Sequence, residues 1–197
     1  TTQSLIINDL NPATTYYFAI KSKDGNNNQS SLSNIASAAT TNKGPLDFHL
    51  KFQGVNSAIS GKTAKVILMQ GATQVGSFDN VALAASGNIY SGSVPNIDSG
   101  TYDVYLKGPA HLRKKIPAIS VSTIGTQNWP PAPPILLAGD ITQDNRVDIS
   151  DYSAMLLKFN PTLIQPNTVA DINFDNKVDT TDYSLMLLNF NPLGSGD

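Results

Sequence analysis

The sequence predicts a mainly β chain that closes with a small all-α domain: two β-sandwich modules, the first of them truncated, and then a pair of short helices. Three observations predict it. Short apolar segments with period-two alternation fill roughly the first 125 residues, as half-buried strands require. A run of prolines then interrupts the chain at Pro130, Pro131, Pro133 and Pro134. After it, residues 140–161 return as residues 171–192, fifteen of twenty-two positions identical without a gap. The domains predicted are 1–42, a partial β module; 46–127, a β-sandwich; 128–137, a Pro-rich linker; and 138–193, the repeated unit.

In the first module, strands are expected at Leu5, Ile6 and Ile7, over 16–20, and around Ile35, with turns at Asn11-Pro12 and over 24–30. The stretch Leu10-Asn11-Pro12-Ala13-Thr14-Thr15-Tyr16 resembles the L-x-P-x-T-x-Y signature of fibronectin type III domains. The resemblance covers about forty residues, less than half of such a domain, and implies that the Tyr16 hydroxyl bonds backbone across a sheet corner. The chain opens in what reads as mid-domain, so further sequence upstream is expected.

In the second module, Phe48, Leu50 and Phe52 alternate with His49 and Lys51, and further strands are expected over 64–69, 77–83, 88–94 and 101–107. Gly100-Thr101-Tyr102-Asp103-Val104-Tyr105 resembles a strand of prealbumin-type, carboxypeptidase-regulatory-like sandwiches. The prolines favour polyproline II and a semi-rigid spacer, with Trp129 read as the cap of the domain end or, less favoured, as a sugar platform. The only basic run, His111 to Lys115 with Lys107 nearby, reads as a solvated hairpin face, the alternative being contact with an acidic polymer or with the Asp-rich C-terminus. His49 and His111 read as surface residues.

The chain has no cysteine and no glutamate, so all fifteen acidic residues are Asp, and eight of them lie between Asp140 and Asp182. Each copy of the repeat starts with a twelve-residue loop, 140–151 and 171–182. A hard cation such as calcium takes six to eight oxygens, and alternate positions of a tight loop supply them. Positions 1, 3 and 5 are Asp140, Thr142 and Asp144, then Asp171, Asn173 and Asp175. Position 7 offers its backbone carbonyl, from Arg146 or Lys177; position 9, Asp148 or Asp179, acts through water; position 12, Asp151 or Asp182, closes the sphere. Position 6 is Asn145 or Asn176 where the EF-hand has Gly, and Asn tolerates the left-handed backbone that position needs. Position 8, Val147 or Val178, is expected to pack inward and pair the loops. Tyr152, Met155, Leu156 and Phe159, and again Tyr183, Met186, Leu187 and Phe190, have the spacing of a core-facing helix stripe, ended by Asn160-Pro161 and Asn191-Pro192.

Two such loops, each ending in Asp and followed by one helix, resemble the dockerin domain over about 138–192. The resemblance implies a small all-α calcium-binding dockerin-like C-terminal domain holding two Ca2+ ions, with a cohesin-like protein domain as its partner. It further implies partner contacts from loop positions 10 and 11 and the exposed helix face: Ile149, Ser150, Leu157, Thr180, Thr181 and Leu188. For Leu157 and Leu188 the competing reading is that they widen the core stripe. The repeat's symmetry permits binding in two orientations.

A net charge of −2 gives no basic footprint for nucleic acid, and no apolar run approaches the length of about 18–20 residues that crosses a bilayer. The Thr-, Ser-, Asn- and Gly-rich composition reads as secreted, hence extracellular or at the cell surface. The expected function is calcium-dependent attachment without catalysis, in a context that includes polysaccharide-degrading assemblies, where a hydrolase upstream and carbohydrate bound by other domains both have a place. The rival reading is a calcium-stabilised stalk or adhesin segment with no cohesin partner.

Overall fold

The computed structural model describes residues 4–11, 13–166 and 168–191; Pro12 and Pro192, read as turn and helix end, lie outside them, as does the end of the C-terminal domain at 193. The chain divides into two compact units, Thr1–Lys43 and Gly44–Asp197.

In the first unit, β1 (Thr15–Phe18) pairs antiparallel with β2 (Ala36–Ala39), Tyr16 opposite Ala38. The Tyr16 hydroxyl accepts the Asn11 N–H at 2.8 Å, which is the corner bond that the fibronectin signature implies. The Asp24 carboxylate accepts the N–H groups of Asn26 and Asn28 and closes the polar turn. Among the described residues, none of the buried hydrophobic ones belongs to this unit, and Leu5, Ile6, Tyr17 and Ile20 are exposed.

The second unit opens as a sandwich. Its strands are β3 (Lys43–Phe52), β4 (Thr63–Gln70), β5 (Thr73–Ala82), β6 (Ala84–Ser86), β7 (Ile89–Asp98), β8 (Gly100–Lys107), β9 (Lys114–Ser122), β10 (Gly125–Gln127) and β11 (Ile135–Leu136). One sheet runs β10-β9-β8-β4-β5 and the other β11-β3-β7-β6. Alternation along β3 sends Leu46, Phe48, Leu50 and Phe52 inward, against Val66, Leu68, Tyr90, Val104 and Leu106.

The basic run departs from expectation. Lys114 and Lys115 begin β9, but His111 is fully buried, wedged between Phe52 and Phe174 with ring centroids 4.8 and 5.8 Å away. Burial pushes its pKa down to about 3, so the ring is neutral.

The Pro-rich stretch also differs from a spacer. Trp129 does cap the sandwich, its Nε1–H donating to the His49 carbonyl at 3.1 Å. Immediately after the prolines, however, β11 pairs in parallel with the end of β3, Leu136 opposite Phe52. Leu112 N–H then donates to Leu137, and Gly139 N–H to Ala110. The chain thus enters its C-terminal repeat while still hydrogen-bonded to the sandwich. Backbone groups on a sheet edge need partners, and proline, although it lacks an N–H, still has a carbonyl that accepts: Pro134 takes the Lys51 N–H.

Side chains complete the join. Gln53 Oε1 accepts from Ala138 N–H and from Asn189 Nδ2, at 2.9 and 2.6 Å. Gly54 has φ +84°, and a Cβ there would lie 2.3 Å from Leu185 Cδ1. Substituting Gly54→Ala therefore meets both a left-handed backbone and an occupied space. It is expected to cost about 1–3 kcal/mol of stability, read from the urea midpoint at unchanged m-value.

Candidate metal-binding and docking site

The two repeats fold alike. Helix α1 (Ile149–Leu156) is N-capped by Asp148 and α2 (Thr180–Leu188) by Asp179, each in a reciprocal capping box with the Asp at N3, Asp151 or Asp182. This explains why Asp serves at loop position 12. Its shorter side chain sits one turn into the helix and reaches back: Asp151 Oδ1 accepts the Thr142 N–H while Oδ2 accepts the Asp148 N–H. Asp182 does the same, Oδ1 accepting from Ile172 and Asn173 and Oδ2 from Asp179.

Position 6 is left-handed in both loops, Asn145 at φ 68° and Asn176 at φ 70°, as the Asn residues predict. Position 4 is left-handed too, Gln143 at 66° and Phe174 at 62°. These turns aim loop amides at the first carboxylate. Asn145 N–H donates to Asp140 Oδ2 at 3.0 Å, and Asp175 and Asn176 N–H groups donate to the two oxygens of Asp171 at 3.0 and 2.9 Å. Asp144 and Asp175 each accept the N–H two residues on.

Val147 and Val178 are buried in one cluster, as expected, and their backbones tie the two repeats together crosswise. Val147 bridges to Asn191 and Val178 to Asn160, so each loop is clasped by the residue that follows the other repeat's helix. Asn160 and Asn191 N–H groups donate to the Val178 and Val147 carbonyls at 3.0 and 2.8 Å.

Asp140, Asp151, Asp171 and Asp182 are all buried, none more than 3% exposed. Burial pushes the Asp171 carboxyl up to about 6, with the charges of Asp182 and Asp175 adding to it. Burial also raises Asp182, again helped by Asp175, and raises Asp140, where the Lys107 ammonium opposes it. At position 9, Asp148 is instead held below the usual carboxylate range by the Ser150 hydroxyl it accepts from.

Among the described residues no three His, Cys, Asp or Glu side chains form a converged metal cluster; the carboxylates of each loop accept the loop's own amides. The donors nevertheless fit a hard divalent cation. Every predicted side-chain ligand offers oxygen, and Asp140 Oδ1 is buried with no hydrogen-bond partner.

The predicted helix stripe is only half in the core. Met155 and Met186 are fully buried and Tyr152 and Tyr183 partly so, yet Leu156 and Leu187 are 53% and 47% exposed, and Phe159 and Phe190 also face solvent. The reason is that Asp151 and Asp182 occupy the inward face one turn before each Met, so the core side of each helix is polar at its start. Leu156 and Phe159 instead line a cleft of about 300 Å³ with Tyr152, Met155, Thr180 and Tyr183. Leu157 and Leu188, 85% and 73% exposed, do not widen the core stripe. Ile149, Ser150, Thr180 and Thr181 are exposed as well.

Two contacts join the repeat to the sandwich, the first absent from the sequence reading and the second the alternative given there for the basic run and Lys107. Phe174 belongs to the sandwich core, its ring 5.4 Å from that of Phe52. Lys107 makes an ion pair with Asp140. The signal for the first was present: position 4 is aromatic in one copy and polar, Gln143, in the other.

Over residues 138–190 the chain matches the family model for the dockerin type I domain, which bears out the resemblance read from the repeat. No curated protein matches the chain in sequence. Among solved structures, a chain of an N-terminal interface mutant of a type II cohesin–X–dockerin complex from Acetivibrio cellulolyticus is 18% identical, with a TM-score of 0.56 over 75% of this chain and 96% of that one. A C-terminal interface mutant of the same complex gives 17% identity and a TM-score of 0.48 over 74% and 95%. The first is a likeness of fold, and three quarters of the chain is more than residues 138–190 supply, so it includes the sandwich.

Proposed function

We propose that residues 138–191 form a calcium-loaded docking module for a cohesin-like domain, mounted on the sandwich and working by binding, not catalysis. The observation that carries this reading is the twofold recurrence of exposed apolar side chains, Leu157 and Leu188 beside the exposed positions 10 and 11, in a stretch that matches the dockerin model. Apolar residues bared at matching places in two repeats favour a partner surface.

The ligands in this reading are Asp140, Thr142, Asp144, the Arg146 carbonyl, Asp148 and Asp151, and then Asp171, Asn173, Asp175, the Lys177 carbonyl, Asp179 and Asp182. Bound calcium supplies charge that offsets the buried carboxylates. The chain's own residues do the rest: Asp151 and Asp182 tie each loop to its helix, Val147 and Val178 clasp the repeats together, and Ile149, Ser150, Thr180 and Thr181 flank the exposed leucines. An extracellular or cell-surface setting, and membership of a polysaccharide-degrading assembly, belong to the same proposal.

A panel of cohesin-like domains, titrated calorimetrically with the chain in calcium and in chelator, tests it. A complex is expected in calcium alone, weakened by at least about a hundredfold in the Leu157→Asp, Leu188→Asp double variant. The anchoring of Phe174 in the sandwich favours a second reading, a calcium-stabilised stalk, and calcium-dependent folding with no complex across the panel decides for it.

A further inference from the structure

We propose that Lys107, a sandwich residue, sets the calcium affinity of the first loop: its ammonium is a built-in counter-ion to Asp140, making this the weaker of two unequal sites. The inference rests on the calcium reading above and assigns a determinant that lies outside both loops.

Lys107 ends β8, and its side chain is only 14% exposed. Its ammonium donates to the His111 carbonyl at 3.0 Å, which fixes it in place, and to Asp140 Oδ2. Asp140 is itself fully buried, so the pair is shielded from solvent and weakly screened. Asp140 therefore divides its two oxygens. One faces the sandwich, shared by Lys107 and the Asn145 N–H, and the other is buried without a partner.

The second loop is arranged differently. Asp171 gives both oxygens to its own loop amides, and the nearby Lys62 ammonium lies 4.0 Å from the Phe174 ring centroid, acting on Asp171 electrostatically. The remaining donors lean the same way. In the first loop, position 3 is a neutral hydroxyl already donated to Asp151. The Asn145 amide oxygen is taken by the Arg113 N–H, a second tie from the β8–β9 connection. In the second loop, position 3 is Asn173, whose amide oxygen is oriented within the loop by the Asp175 N–H.

A divalent cation on the free oxygen of Asp140 must share that carboxylate with a fixed positive charge a few ångströms away. In a site this shielded, such repulsion lowers affinity by at least about tenfold. The same ammonium compensates Asp140 when calcium is scarce, and so keeps the first loop seated on the sandwich.

The test is calcium titration calorimetry of the whole 197-residue chain, stripped of metal beforehand, with melting followed by circular dichroism. The wild type is expected to show two steps of unequal affinity. Lys107→Gln keeps an N–H for the His111 carbonyl and removes the charge. It is expected to tighten the weaker step by about tenfold while lowering the melting temperature in chelator but not in saturating calcium. Lys107→Arg, which keeps the charge, should leave both steps within about threefold. Equal steps in the wild type overturn the proposal even if Lys107→Gln fails to fold. A weaker step left unchanged, or weakened further, in a folded Lys107→Gln, the signature of a purely structural lysine, overturns it while leaving the calcium reading intact. No binding heat from the wild type overturns both.

Discussion

Removing calcium is expected to lower the melting temperature of the chain by on the order of 10 °C, since each site held at a hundred times its dissociation constant stabilises the folded state by about 2.7 kcal/mol. The physical basis is the set of four buried carboxylates, Asp140, Asp151, Asp171 and Asp182. Without a cation the two charges in each loop are held close together with little access to water, Lys107 offsetting only that of Asp140, and the folded state carries the remaining cost. The direction of the pKa shifts gives an independent check. A carboxyl raised in the folded chain holds its proton more tightly there than in the unfolded chain, so stability falls as pH rises from the ordinary carboxylate range through the folded value. For Asp171 that window runs from its usual 3.8 to about 6, and Asp140 and Asp182 are shifted in the same direction. The chelated chain should therefore melt higher at pH 5.5 than at pH 7.5. The calcium-loaded chain should show the opposite order, because protons then compete with the ion for the same oxygens. Differential scanning calorimetry at the two pH values, in calcium and in chelator, measures both differences. Identical melting in calcium and chelator would remove the physical reason for assigning metal to these loops.

What the sequence makes legible is what short-range pattern controls. Period-two alternation locates β3, β4, β7 and β8, and the Asn residues at loop position 6 announce left-handed turns that are present at 68° and 70°. The Tyr16 corner bond belongs with these, since its partner Asn11 is five residues away. What stays hidden depends on partners distant in sequence. His111 sits in a basic run and reads as solvated, but its surroundings come from Phe52 and Phe174. The prolines read as a spacer because polyproline II follows from local sterics, whereas the pairing of Ile135 and Leu136 with Lys51 and Phe52 joins residues more than eighty positions apart. The helix stripes mislead for a different reason. Hydrophobic spacing identifies a face but not what covers it, and here two aspartates share the inward side with the methionines, leaving Leu156 and Leu187 half outside.

Replacing Phe174 by Ala is expected to destabilise the chain by about 3 kcal/mol and to split one unfolding transition into two. Phe174 is 6% exposed and belongs to the sandwich core, although it is the fourth residue of a loop whose other residues serve the C-terminal repeat. Its ring meets Phe52 at 5.4 Å and His111 at 5.8 Å, and the Lys62 ammonium lies over its face. It does this from a backbone at φ 62°, a conformation a bulky residue adopts only where its surroundings hold it there. The anchored ring thus ties the geometry of the second loop to the packing of the sandwich. Phe174→Gln copies what the first repeat carries at this position, Gln143 at φ 66°. It keeps the left-handed turn accessible to the loop while withdrawing the ring from the sandwich. If the anchor is what joins the two halves, Phe174→Gln in saturating calcium should retain binding heat from the second loop. In urea, the helix signal at 222 nm and Trp129 fluorescence, coincident in the wild type, should separate, with the helices melting first. Coincident probes in both variants would mean that the β11 pairing and the Gln53–Asn189 contact suffice to keep sandwich and repeat a single cooperative unit.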